Sequence, residues 1–252
     1  MVMILPRRTP MSSKEANGRD TDLNLLKRLK GLDWLSNLEL DGLANGLTTS
    51  NFKRREVMLG ENGLASEAHI LLTGVANITC LNSKSERVTV ALLPPGPIPE
   101  FPSQSPSRWR FQCDAYSNCR FGTISWDRFN AIALNAPRSA FREFHQNNLQ
   151  LWYRLLLRGS TLLNLHLHER IEMTLLELCQ DFGIEESRGT LLRVAFSHKD
   201  LASLVGASRP RVTEHLARLE RENLVFRQGR QLIVRADELG SSKSLQAGLH
   251  AA

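Results

Sequence analysis

Apolar and polar positions follow two different rhythms along the chain, and the change between them divides it. From residue 53 to 125 the apolar stretches are short. "EVMLG", "AHILLTG", "VANITCL", "RVTVALL", "WRFQCDA" and "CRFGTIS" read as strands, separated by "GENG", "NSKSE", "PPGPIPEFPSQSPS" and "SN". Short strands at regular spacing with Gly, Pro, Asn and Ser between them predict an antiparallel sandwich or barrel-like unit. The proline-rich interruption lacks backbone donors, so it is no central strand but a loop, and a loop of that length is often functional.

On either side the period becomes helical. Residues 22–48 carry apolar residues at helical spacing, with Gly31 and Gly42 as breaks, and predict short helices. Residues 1–21 read as a disordered tail. After the strands, 126–133 reads as a short helix and 137–165 as one long helix with Pro137 in its first turn. Leu149, Trp152, Leu156, Gly159 and Leu163 step along it by three and four, and Leu151, Leu155, Leu162 and Leu165 form a second stripe. One stripe packs on the β unit; the other needs a partner, and a second copy of the chain is the simplest. Residues 168–181 read as a further helix, and 182–195 as a connector ending in the strand "TLLRVAF".

The stretch 196–235 has the strongest local signals. Ser197 and Asp200 have capping-box spacing before a helix that buries Leu201, Leu204 and Val205, and Gly206 supplies the turn. Ser208 caps a second helix, 209–222, with Pro210 in its first turn and Val212, Leu216 and Leu219 on its inner stripe. Its outer side presents Arg211, Thr213, Glu214 and Arg218, with Arg209 at the N-terminal end. "NLVFRQGRQLIVR" follows as two strands around Gly229, with Arg227 and Arg230 at the tip. This is a winged helix-turn-helix: the second helix fits a major groove, and the wing meets phosphates.

Charge agrees with that reading. The 252-residue chain has a net charge of +6, and 193–235 holds nine Lys/Arg against four Asp/Glu. Residues 1–30 hold seven against three, read as a solvated tail. A basic, polar-faced helix points to a polyanion partner, double-stranded DNA. The length suits two modest domains, and no apolar run approaches the ~20 residues of a membrane span. In "MVMILPRR" the apolar run precedes the basic pair, the reverse of a signal peptide, so the expected location is cytoplasmic. Cys80, Cys113, Cys119 and Cys179 form no CxxC pair and read as buried small hydrophobes, although Cys113 and Cys119 could meet across neighbouring strands. No nucleophile–base pair, metal-spaced His set or phosphate-binding glycine loop argues for an enzyme or a metal site. His166 and His168, two apart, do not share a helical face.

Over residues 22–240 the chain resembles the cyclic-AMP receptor protein / fumarate-nitrate reduction regulator (Crp/Fnr) family of bacterial transcription factors. The resemblance rests on "DLASLVGASRPRVTEHLARLERENLV", on "HILLTGVANITC" and on "RVTVALLPPGPIPE". It implies an α+β chain: an antiparallel β-roll of the cyclic-nucleotide-binding type at 22–135, a dimerisation helix at 136–166, a winged helix-turn-helix at 167–240 and a tail at 241–252. It also implies a homodimer on a palindromic site, with RNA polymerase as a further partner. Family members that bind cyclic AMP carry Gly-Glu-Leu and Arg-Ser/Thr-Ala segments around the phosphate, whereas this chain reads "IPEFPS" and "WRFQCDA". Glu100, Arg110 and Gln112 are the residues left to form an effector pocket, and the departures argue against cyclic AMP. Residues 1–79 contain no Cys, which argues against the family's N-terminal iron–sulfur cluster, and His69 is a lone β-roll histidine, more in keeping with structure than with haem. In the reading helix, Arg209 matches a guanine-reading arginine, while Pro210 and Glu214 replace the family's Glu and Arg. Ser208, Arg209, Pro210, Arg211, Thr213, Glu214, Arg218 and Arg230 form the expected DNA interface, with specificity on Arg209, Thr213 and Glu214. The alternative is a small-molecule or redox sensor whose output is a protein–protein contact.

Overall fold

The computed structural model describes residues 13–60, 67–81, 87–99, 110–134 and 138–241. Two helices come first, α1 (Ser13–Leu26) and α2 (Asn37–Gly46). Residues 13–20, expected in the tail, are thus helical; they are polar without a period, so nothing local marks them. What anchors this helix is distant in sequence: Asp22 receives a forked ion pair from Arg120, and Leu26 is fully buried. Gly31 breaks the chain as expected, at φ +87°, but Gly42 lies inside α2.

Eight strands follow: β1 (Thr48–Phe52), β2 (Val57–Leu59), β3 (Glu67–Thr73), β4 (Ala76–Leu81), β5 (Arg87–Leu93), β6 (Gly96–Pro97), β7 (Arg110–Ala115) and β8 (Cys119–Ser125). They form two facing antiparallel sheets, ordered β1-β8-β3-β6 and β2-β7-β4-β5. Ile78, Cys113, Leu71 and Phe121 fill the space between them, and α1, α2 and the helix α3 (Trp126–Ala133) cover the outer face of the first through Leu43, Ile70 and Phe129. Two strands escape the hydrophobic pattern. β1, "TTSNF", is a largely exposed edge strand, and the proline-rich loop opens with the two-residue edge strand β6, a position that tolerates proline.

The helix α4 (Arg138–Asn164) runs 27 residues, about 40 Å. Along it Leu149, Leu156 and Leu163 are 67%, 72% and 86% exposed, and a side chain added at Gly159 would meet open space. Trp152 shares that stripe, whereas Leu162 and Leu165 on the other are half-buried. The remainder is α5 (Leu167–Phe182), β9 (Gly183–Glu186), β10 (Gly189–Leu192), α6 (His198–Val205), α7 (Arg209–Arg221), β11 (Val225–Gln228), β12 (Gln231–Val234) and α8 (Ala236–Gly240). The expected strand "TLLRVAF" ends at Leu192 and is the second arm of a hairpin with β9, joined to the wing in the order β11-β12-β10-β9. Polar "GIEES" gives no strand signal; the hairpin forms because β10 pairs with β12, and Gly189 at φ +131° brings its backbone close to the Val234 carbonyl.

The four cysteines are free and buried. Cys113 and Cys119 do not sit on neighbouring strands: β7 lies beside β2 and β4, β8 beside β1 and β3, in opposite sheets. Burial raises both thiols, and Cys179 is pushed up to about 12, so these are poor thiolates.

Candidate nucleic-acid interface

The helix-turn-helix is assembled by caps and one buried stripe. Ser197 Oγ accepts from the Asp200 amide at 3.2 Å, and Asp200 accepts from the Ser197 amide at 2.8 Å, closing the expected box. Gly206 ends α6 at φ +61°, ψ +47°, where a Cβ is disfavoured. Ser208 holds the extended N-cap conformation before α7, but its side chain makes no capping bond. Val212, Leu216 and Leu219 are fully buried, which turns Ser208, Arg209, Pro210, Arg211, Thr213 and Glu214 to the exposed side. Two arginines at the N-terminal end add to the positive end of the helix dipole. Gly229 turns the wing at φ +63°, and Arg230 beside it is exposed.

Two arginines depart from their expected places. Arg218 lies 3.5 Å from the buried carboxylate of Glu172 on α5 and 3.5 Å from Glu222, so its charge anchors α7 rather than extending the outer face. Arg227 folds back from the wing onto Glu220 and His198. What remains is a cleft of about 620 Å³ between wing and helices, lined by Lys199, Arg209, Arg227 and Arg230. Arg54, from the β-roll turn before β2, lines the same cleft, a contribution "FKRRE" did not advertise because only folding brings it there.

Helices far apart in sequence hold the turn in place. Arg158 of α4 donates to the Leu204 carbonyl at 3.0 Å while pairing with Glu177, and Arg170 of α5 donates to the Val205 carbonyl at 2.9 Å. The last carbonyls of α6 thus receive charged donors from the long helix and its successor. His166 and His168 stack at 6.0 Å, and His168 stacks on His215 of α7 at 6.4 Å. The two rings meet although residues two apart do not share a helical face, because His166 precedes α5 and is not bound by its geometry.

The β-roll grips α6 directly. The Tyr116 hydroxyl lies 2.8 Å from the Asp200 carboxylate and 3.1 Å from the Ala195 carbonyl, Phe196 packs at 5.8 Å on the Tyr116 ring, and Ser203 donates to Thr89 at 3.0 Å. Val75 and Leu92 join the core of the C-terminal unit. Burial, then Asp200, raises the tyrosine pKa, so Tyr116 stays a neutral donor.

Of the expected effector residues, Glu100 lies outside the described residues, and only the backbone of Arg110, in β7, is described. The Gln112 amide bonds to Asp114, and Thr79 reaches the same carboxylate at 3.2 Å. Strand alternation puts these groups on the face opposite Cys113, which fills the core between the sheets. Gln112 therefore does not point into the β-roll interior. His69 is buried on Phe121 with ring centroids 5.5 Å apart, beside the Thr123 hydroxyl. Among the described residues no group of three or more His, Cys, Asp or Glu is arranged to hold a metal, and no helix is long and apolar enough to cross a membrane.

A β-roll, a long helix and a winged helix-turn-helix in that order define a DNA-binding regulator with a cyclic-nucleotide-binding-like domain. Residues 169–240 match the Crp-like helix-turn-helix domain. The chain is 25% identical over 199 residues to the global nitrogen regulator of Nostoc sp., covering 69% of this chain and 79% of that one. It is 26% identical over 186 residues to the nitrogen fixation regulation protein FixK of Azorhizobium caulinodans, covering 71% of each. The solved structure of FixK2 from Bradyrhizobium japonicum superposes with a TM-score of 0.63 at 18% identity, covering 77% of this chain and 95% of that one. Residues 169–240 thus form a Crp-like helix-turn-helix domain, and the chain is similar to transcription regulators of the Crp/Fnr type.

Proposed function

We propose that the protein is a homodimeric, sequence-specific DNA-binding regulator in which α4 pairs with its copy and two α7 helices enter successive major grooves of a palindromic site. The observation that carries this reading is the exposed row Arg209, Pro210, Arg211, Thr213 and Glu214 set against a fully buried inner stripe. Arg209, Thr213 and Glu214 read bases; Arg211 and Arg230 neutralise phosphates, with Ser208 and Pro210 at the helix start. The dimer rests on Leu149, Trp152, Leu156 and Leu163, each worth roughly 1.5–3 kcal/mol if fully buried, with Gly159 permitting close approach. Domains divide at 22–135, 136–166 and 167–240, with the first helix extending the sensor to Ser13. The β-roll responds to something other than cyclic AMP and acts through the Tyr116–Asp200 and Arg158–Leu204 contacts, which tie both the sensor and the dimer helix to α6. RNA polymerase is the machinery that a DNA-bound dimer would address.

Selection of bound duplexes from a random pool, with and without cyclic AMP, tests this reading. A palindrome enriched without ligand is the expected result. Enrichment only with cyclic AMP would reinstate that effector. No enrichment in either condition would leave a sensor with a protein–protein output as the better account.

A further inference from the structure

The reading helix, its supporting helix and the wing meet at one side chain, His198. It is the first residue of α6 and is half-buried. Its Nε2 lies 2.9 Å from Arg227 Nη2, and its Nδ1 lies 2.7 Å from Thr213 Oγ1. Arginine is a donor only, so Nε2 accepts; the neutral ring then carries its proton on Nδ1 and donates to Thr213. The Thr213 hydroxyl in turn donates to the Arg209 carbonyl at 3.0 Å. Every direction in this relay is determined, from Arg227 through His198 and Thr213 to Arg209. Its product is a threonine whose only proton is committed and whose oxygen keeps one lone pair for an outside donor.

That has a consequence for base reading. In the major groove, adenine and cytosine present amino donors, while guanine and thymine present acceptors at the corresponding positions. We propose that His198 is a positioning residue for sequence reading: by donating to Thr213 it holds that hydroxyl as an acceptor, favouring an adenine or cytosine amino group opposite Thr213. This rests on the reading of α7 as the groove helix.

The charges around the ring keep it neutral. Arg227 faces it from β11, Arg209 and Glu220 from α7, and Lys199 and Asp200 follow it on its own helix; Arg54 and Arg230 line the same cleft. Burial, then Arg227 and Arg209, lower its pKa from the usual 6.5, with Glu220 opposing. Because the value in the free folded protein is depressed, the Arg227–His198 link is intact above about pH 6.5 and is lost as pH falls through the lowered value. Protonation places a donor on Nε2 against the guanidinium and breaks the first link, while Nδ1–H still donates to Thr213. It also adds positive charge, which strengthens binding to any duplex. The quantity to follow is therefore discrimination between duplexes, not affinity.

Two measurements on the full-length protein test this. Nitrogen NMR of the histidine side chains in the free protein, with His198 assigned by its loss in His198→Asn, should show the Nδ1–H tautomer at pH 7.5; a majority Nε2–H tautomer overturns the proposal whatever the DNA results. Affinities for the selected duplex and for one with the base pair opposite Thr213 exchanged give a discrimination ratio. In the wild type it should hold from pH 7.5 to 5.5, because Nδ1–H donates to Thr213 in both charge states of the ring. His198→Asn, which keeps a donor near the Nδ1 position, should hold its ratio across that range. His198→Phe, which cannot donate, and Thr213→Val should be about tenfold lower at both, the loss of one good base contact. Full discrimination in His198→Phe, or a ratio in His198→Asn as low as in Thr213→Val, sinks this inference alone. A protein that selects no duplex at any pH sinks the DNA reading and this inference with it.

Discussion

Arg209 and Arg218 sit nine positions apart on one helix and have different work, and the difference is measurable. Arg209 is exposed at the first turn of α7. Arg209→Ala should cost roughly 1–3 kcal/mol in binding to the selected site and relax preference at one base pair per half-site. A uniform loss over all sequences would reduce it to a phosphate contact. Arg218 is held by Glu172 and Glu222. Arg218→Met should therefore lower stability to urea by about 1–2 kcal/mol, since it removes one charged partner of a buried carboxylate. It should leave the salt dependence of binding unchanged, whereas losing a true phosphate contact such as Arg211 lowers that slope by about 0.9 per contact. The buried positions of α7 were legible from three-and-four spacing alone. The fate of Arg218 was not, because its partner lies 46 residues earlier on a helix that only folding brings alongside.

The long helix is the element whose surface asks for a partner. Its exposed leucines and Trp152 form one stripe, so Leu156→Glu should place charges in a dimer seam and yield monomers by sedimentation, with affinity for a palindrome reduced to that of a half-site. A dimer that survives this change would move the interface elsewhere. The capped ends of α6 and α7 were also readable, since Ser197, Asp200, Gly206 and Pro210 act over a few residues. Gly206→Ala should cost about 1 kcal/mol of stability, because alanine resists the left-handed turn that the structure requires there. The elements that escaped reading were α1 residues 13–20, β1, β6, β9 and α8. Each is short or polar, and each is held by a distant neighbour rather than by its own pattern, as β9 is by β10 and α8 by its packing on α5.

Across the whole molecule the question is how a sensor moves a reader. Tyr116→Phe keeps the ring against Phe196 and removes only the hydroxyl beside Asp200. A net loss of about 1 kcal/mol at that contact should appear as faster amide exchange at the start of α6 with little change in global unfolding. Unchanged exchange would mean that the apolar contacts of Val75, Leu92 and Phe196 hold the two units unaided. By itself the sequence determined the order of the units, the reading helix and its caps, and the unpaired stripe of α4, because each is written as a period or a cap within a few turns of chain. Only the tertiary structure decided which arginines are spent on internal carboxylates, which face of β7 carries Gln112, and how Tyr116, Arg158 and His198 converge on α6. Those outcomes depend on side chains tens of residues apart meeting in space, and local patterning holds no record of such meetings.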